Sequence, residues 1–96
     1  MSRAKIVKSS GNVFRDLGFP PEEAEIAALR VDLICALGRW AKNHRLTQHQ
    51  VATRLGISQP RVSNLLAGKW EKFSVDTLLV FCARAGLRPR LDLKAA

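Results

Sequence analysis

The stretch from Thr47 to Gly68, TQHQVATRLGISQPRVSNLLAG, constrains the fold of this chain more than any other stretch. Gly56 lies in its middle, where a glycine can adopt the left-handed backbone that ends a helix and turns the chain sharply. The aliphatic and small residues on either side recur at helical spacing: Val51, Ala52 and Leu55 before the glycine, and Val62, Leu65 and Leu66 after it. The pattern predicts two short amphipathic helices joined by a tight turn.

Capping residues sharpen these boundaries. Thr47 and Ser58 can each accept backbone N–H groups at a helix start, and Gly68 can end the second helix. Because the turn is too short for the helices to lie side by side, they must cross steeply, as in a helix-turn-helix motif. The outer face of the second helix is polar, with Gln59, Arg61, Ser63 and Asn64, and no acidic residue occurs between Gln48 and Lys69. Such a face suits base edges in a DNA major groove.

The charge of the chain indicates a polyanionic partner. Sixteen Lys and Arg against eight Asp and Glu give a formal net charge of +8 and a pI of about 10.6. Bases concentrate beside the motif, since residues 38–72 contain Arg39, Lys42, Arg45, Arg54, Arg61, Lys69 and Lys72 but Glu71 as the one acid. Nucleic acid is the first candidate, and an anionic membrane surface is the second.

The segments before the motif divide into a tail, a short apolar stretch and a long helix. Residues 1–11 are basic and polar and predict a flexible tail. The next stretch carries Val13, Phe14, Leu17 and Phe19, which either pack on the core or form a site for a protein partner. A helix is predicted from Pro20 and Pro21 to about Asn43, with an apolar face of Ile26, Leu29, Leu33, Leu37 and Trp40.

The segments after the motif predict a loop, a helix and a strand. Trp70 either stacks on a ligand or anchors the loop, and a helix capped by Ser74 ends at Gly86. Residues 87–93 alternate, with Leu87, Leu91 and Leu93 on one side, which predicts a short terminal strand. Because a lone strand needs a partner, we expect these leucines to mediate a homodimer that binds a palindromic operator.

No enzymatic, metal or cofactor site is predicted. His44 and His49 are five residues apart, which is not the spacing that places two ligands on one helix face, and phosphate-loop and nucleophile-elbow motifs are absent. Cys35 and Cys82 each lie in an apolar helical stretch, which predicts two buried, reduced thiols. Without a signal-peptide pattern or a long apolar run, the sequence predicts a soluble cytoplasmic protein.

The motif resembles the lambda-repressor-like helix-turn-helix proteins, also called the XRE family. Ala52, Gly56, Val62 and Leu65 match that family's small residue, turn glycine and two core aliphatics. The strings SSGNVFRDLGFPPEE, SQPRVSNLLAGK and FSVDTLL resemble more narrowly the HigA-type antitoxins encoded beside small ribonuclease toxins. The resemblance implies an all-α bundle of about five helices in one domain, residues 12–96, with the terminal strand added, in a bacterial, nucleoid-associated protein.

The residues of the motif then take provisional roles in binding double-stranded DNA. Gln48 resembles the family's phosphate-contacting glutamine, and its backbone N–H at a helix start can add to that contact. Gln59 can pair with adenine, and Arg61 can pair with guanine or reach phosphate. The remaining candidates are Ser58 and Lys69 for phosphate, Pro60 for a thymine methyl group, and Ser63 and Asn64 for the following base pairs.

Three functions are compatible with these residues. The first is an autoregulating antitoxin that binds its operator and a small basic ribonuclease toxin, through apolar contacts or through local acids such as Asp16, Glu22, Glu23 and Glu25. The second is a transcriptional repressor without a toxin. The third is a protein-interaction module, which the basic surface argues against.

Overall fold

The computed structural model describes residues 12–93, and every regular secondary-structure element in this range is a helix. The five α-helices are α1 (Val13–Asp16), α2 (Pro21–Asn43), α3 (Gln48–Leu55), α4 (Gln59–Leu66) and α5 (Val75–Arg84), and a 3-10 turn (Trp70–Lys72) precedes α5. The predicted all-α class is confirmed. The predicted basic tail, residues 1–11, lies outside the described residues.

The long helix α2 forms one side of the core. Its first turn has Pro21 in the N1 position, followed by two acids that complement the positive end of the helix dipole. Leu33, Leu37 and Trp40 are buried, as predicted, but Ile26 is 45% exposed. Near the start of α2, where α1 contacts it, the buried residues are instead Ala24 and Ala27, so a different side of the helix faces inward. Within residues 12–93, no helix is both long and apolar enough to cross a membrane.

The motif helices and α5 complete the same core. Val51, Leu55, Val62, Leu65 and Leu78 are at most 1% exposed and belong to one cluster with the α2 residues. Arg84 adds a polar tie, because its guanidinium donates to the Leu55 carbonyl at 2.7 Å. This bond satisfies a carbonyl at the end of α3 that has no partner within its own helix. The end of α5 is thereby fixed to the turn of the motif.

The short apolar stretch before α2 divides between the core and the surface. Asn12 caps α1 and its side-chain amide donates to the Ala24 carbonyl at 3.1 Å. Phe14 lies edge-to-face with Phe19 and with Trp70, at centroid distances of 5.3 and 5.2 Å. Trp70 therefore anchors the loop, which was one of its two predicted roles. The other two apolar side chains point outward: Val13 is 58% exposed and Leu17 is 69% exposed.

The predicted terminal strand is not present in residues 87–93 of this chain. Leu87 continues from the end of α5, where its N–H donates to the Cys82 carbonyl at 2.8 Å, and its side chain packs partly on the core. Leu91 and Leu93 are 67% and 85% exposed. The single chain forms no strand here because no described segment offers these residues a backbone partner, and pairing with a second copy stays a prediction.

The prediction of two buried thiols is wrong for one of them. Cys82 is buried on α5, whereas Cys35 is exposed on α2. Desolvation raises the pKa of the Cys82 thiol to about 11.

We expect a thiol reagent such as Ellman's reagent to label the native protein at one cysteine. Cys35 reacts within minutes, since its thiol meets solvent, and Cys82 reacts only in denaturant, because its thiolate is disfavoured and inaccessible. The Cys35→Ser variant serves as the control and shows no fast phase. A fast reaction that persists in Cys35→Ser would contradict the burial of Cys82.

Candidate nucleic-acid interface

The turn between α3 and α4 is set by one glycine. Gly56 has φ +70°, in the left-handed region, and its N–H donates to the Ala52 carbonyl at 2.8 Å. The next N–H, of Ile57, donates to the same carbonyl at 3.0 Å. Ile57 packs back on the core, so the chain leaves α3 at a fixed angle, and three residues separate the end of α3 from the start of α4. The predicted helix-turn-helix is confirmed with the predicted cap residues.

Both motif helices begin at the surface with capped first turns. Thr47 and Gln50 form a reciprocal capping box, in which the Gln50 N–H donates to the Thr47 hydroxyl at 3.1 Å and the Thr47 N–H donates to the Gln50 amide oxygen at 2.8 Å. Ser58 caps α4 by accepting from the Arg61 N–H at 3.3 Å. Gln48, the first residue of α3, is exposed. A phosphate at this start would meet free N–H groups and the positive end of the dipole.

The outer face of α4 presents most of the predicted base-reading residues to solvent. Gln59, Pro60 and Ser63 are exposed, and Asn64 is half-buried. Gln59 also touches α3, because its side-chain nitrogen lies 3.3 Å from Nδ1 of His49. The structure thus brings the first turns of both helices together on one surface.

Arg61 differs from its neighbours on α4. Its guanidinium carbon lies 4.6 Å from the centroid of the Phe73 ring, and the residue is half-buried. Phe73 is only 2% exposed, so the cation covers the core beside α4. Stacked in this way, the guanidinium lies at the edge of the polar face of α4.

Basic residues frame this surface. Lys69 is exposed just beyond α4, and its N–H donates to the Asn64 carbonyl at 3.1 Å, which fixes the backbone that carries it. Arg54, near the end of α3, is exposed as well. Among residues 12–93, no group of three or more His, Cys, Asp or Glu is arranged to hold a metal ion. The surface is suited to binding an anion through cations, amides and hydroxyls.

Three features of this region have no clear signal in the sequence. Arg45, between α2 and α3, has φ +54°, a conformation for which a glycine would have been the usual indication. The contact of His49 with Gln59 and the bond from Arg84 to the Leu55 carbonyl join residues 10 and 29 positions apart. Both depend on how the helices cross, which local patterns do not specify.

Comparisons with known proteins agree with this geometry. A family model described as "Helix-turn-helix domain" matches residues 13–94. The fold is similar to a solved structure assigned to the XRE family of transcriptional regulators, with a TM-score of 0.70 and 32% identity over 77% of this chain and 83% of that chain. No curated protein gives a significant match. The chain therefore belongs to the XRE-type helix-turn-helix family of DNA-binding regulators.

Proposed function

We propose that this protein is a transcriptional repressor that inserts α4 into the major groove of a specific operator. The observation that carries the proposal is the exposed polar face of α4 beside two capped helix starts, in a stretch without acids from Gln48 to Lys69. Amide and hydroxyl groups on a helix of this size match the donor and acceptor pattern of base edges. The surrounding cations add sequence-independent attraction to phosphates.

Roles follow from where each side chain lies. Gln59, which is exposed, and Asn64, which is half-buried, lie about 1.4 turns apart on α4. They are the principal base readers, with Pro60 and Ser63 beside them. Gln48, Ser58 and Lys69 are the phosphate contacts, since each lies exposed at a helix end. For Arg61, the stacking on Phe73 favours phosphate over guanine.

We further propose that the operator-binding form is a homodimer. Leu91 and Leu93 lie exposed at the end of the chain, and Leu79 and Val80 are 41% and 46% exposed on α5. Pairing of two copies through these residues would cover apolar surface and place two α4 helices about 34 Å apart, one turn of DNA. Sedimentation should give a dimer at micromolar concentration and a monomer for Leu91→Asp plus Leu93→Asp. Equal masses for both proteins would contradict this interface.

Fluorescence anisotropy tests DNA recognition. The duplex is the DNA upstream of the gene of this protein, the control is the same duplex scrambled, and each is titrated at two salt concentrations. We expect the first to bind about a thousandfold more tightly. For both duplexes, log affinity should fall with log salt by about 0.9 for each phosphate contacted. Binding that does not change with salt would contradict the proposal. So would equal binding to both duplexes and to sequences enriched from a random library.

A second candidate function adds a protein partner, as an antitoxin would have. Val13 is exposed on α1 and Leu17 is exposed at its C-terminal cap. Half of the chain's eight acids lie exposed in the same part of the sequence: Asp16, Glu22, Glu23 and Glu25. An apolar pair beside acids, in an otherwise basic protein, fits a basic partner such as a small ribonuclease toxin. The partner side chains would be Val13 and Leu17, because Phe14 and Phe19 already pack with Trp70.

The partner is tested with the product of the neighbouring reading frame. Co-expression should yield a complex that survives gel filtration and is lost with Val13→Ala plus Leu17→Ala, while operator binding persists. Complex formation that is unaffected by this variant would place the partner elsewhere. If no adjacent frame encodes a binding partner, the protein is a regulator without a toxin.

A further inference from the structure

The contact between His49 and Gln59 joins the two helices of the motif at the surface proposed to meet DNA. Nε2 of Gln59 lies 3.3 Å from Nδ1 of His49, and both side chains are exposed. They line a shallow open hollow that runs along α3 and the turn to the start of α4. For the Gln59 amide nitrogen to donate in this arrangement, Nδ1 must be the unprotonated nitrogen of a neutral ring.

This arrangement limits what Gln59 can offer a base. With one N–H directed to His49, the amide retains one N–H and its oxygen, a donor beside an acceptor. Adenine presents the complementary pair in the major groove, an N7 acceptor and an N6 donor, whereas guanine presents two acceptors. The neutral histidine therefore favours adenine.

Protonation of the ring reverses the requirement. An imidazolium donates from both nitrogens and cannot accept, so the Gln59 amide must turn and present its oxygen to Nδ1. Both amide N–H groups then remain for the base, which matches the N7 and O6 acceptors of guanine. We propose that His49 positions the Gln59 amide and thereby sets the base preference of α4, with adenine favoured by the neutral ring. This inference rests on operator binding by α4, proposed above.

Among the described residues, His49 is the one titratable side chain that lines the hollow. The other residues that line the hollow are uncharged: Ala52, Thr53, Gly56, Ile57, Ser58 and Gln59. Charged groups on α3 and the helices packed against it lie outside this lining, namely Arg54 on α3, Arg61 on α4, and Asp76 and Arg84 on α5. Arg61 lies over Phe73, and Arg84 is bonded to the Leu55 carbonyl. Histidine is the side chain that ordinarily changes charge between pH 5 and 8.

The test begins with the full chain and a library of random DNA duplexes, from which binding sequences are selected at about pH 8. The base pair read by Gln59 is the one at which Gln59→Ala loses discrimination. Adenine and guanine duplexes that differ only there are then compared at about pH 8 and about pH 5.5. The chain contains two histidines, so His44→Asn is the matched control. His44 lies at the end of α2, with Nδ1 2.9 Å from the Trp40 carbonyl oxygen.

We expect an adenine preference of about tenfold at the higher pH, falling to about threefold or less at the lower pH. In His49→Asn, the amide oxygen can accept the Gln59 N–H without titrating, so the adenine preference should be kept at both pH values. His49→Ala should have a reduced adenine preference that does not change with pH. His44→Asn behaves like the natural protein. If His49 had only a structural role, replacing it would weaken binding to the adenine and guanine duplexes equally.

Three results would overturn the inference, and they show whether operator binding fails with it. If His49→Ala keeps the full adenine preference, or His49→Asn keeps the pH dependence, His49 does not position Gln59 although α4 binds DNA. If the library yields no enriched sequence, operator binding itself is contradicted, and the inference fails with it.

Discussion

Replacing both Gln59 and Asn64 by alanine abolishes operator specificity while the protein remains folded. Each side chain lies on the outer side of α4, exposed or half-buried, and neither belongs to the core cluster. A well-formed amide-to-base pair contributes about 1–3 kcal/mol of discrimination, so two such pairs account for about 2–6 kcal/mol, a range that includes the expected thousandfold preference for the operator. The double variant should bind operator and scrambled duplexes with the same weak, salt-dependent affinity in the anisotropy assay.

The matched control truncates two exposed side chains, Val13 in α1 and Leu17 at its C-terminal cap. Val13→Ala plus Leu17→Ala leaves the net charge unchanged, as does the amide variant, Gln59→Ala plus Asn64→Ala. The Val13 and Leu17 variant should bind the operator like the natural protein. The two variants therefore separate the two functions. The Gln59 and Asn64 variant loses DNA specificity, whereas the Val13 and Leu17 variant loses the partner complex. If the amide variant retains more than about a tenth of the natural specificity ratio, α4 is not the principal reader of base edges.

Replacing Leu55 by alanine is expected to reduce the free energy of unfolding by about 3 kcal/mol. Leu55 is fully buried as the last residue of α3, and its carbonyl is the acceptor for Arg84. A cavity at this position removes side-chain contacts where the end of α3 meets α4. A loss of this size is a large fraction of the stability of a small domain, about 5–15 kcal/mol. Urea denaturation followed by circular dichroism measures it.

The control for Leu55 is another leucine truncated to alanine where solvent already surrounds it. Leu17 is 69% exposed, so Leu17→Ala should change the free energy of unfolding by about 0.5 kcal/mol or less. Similar losses for the two variants would mean that the core is not centred on the end of α3. An unchanged denaturant slope for Leu55→Ala would show that the change is in stability alone.

The motif could be predicted from the sequence because its boundaries depend on local chemistry. Thr47, Ser58 and Ser74 each cap the helix that was assigned to them, and Gly56 takes the left-handed conformation that the turn requires. Hydroxyl caps and a positive φ at glycine act within a few residues, so a short window of sequence contains the information. The fold class followed from these signals.

The errors in the sequence-based predictions concern contacts between distant segments. Ile26 and Cys35 lie in the apolar pattern of α2, but only the neighbouring helices decide which sides of so long a helix are covered. Leu91 and Leu93 alternate as a strand would, yet a strand forms only when a second backbone is available. The His49 contact with Gln59 likewise depends on the angle at which α3 and α4 cross.

An NMR titration of the full chain with an operator duplex tests most directly whether the motif is the DNA-binding surface. Backbone amide resonances are followed as duplex is added, and each shift is mapped onto the helices and turns described above. We predict that the largest shifts occur at the start of α3, at Gln48 and His49, and along α4 from Ser58 to Asn64. The amides of α1 should remain unchanged. Largest shifts on α1 or α5, with α4 unaffected, would contradict the account.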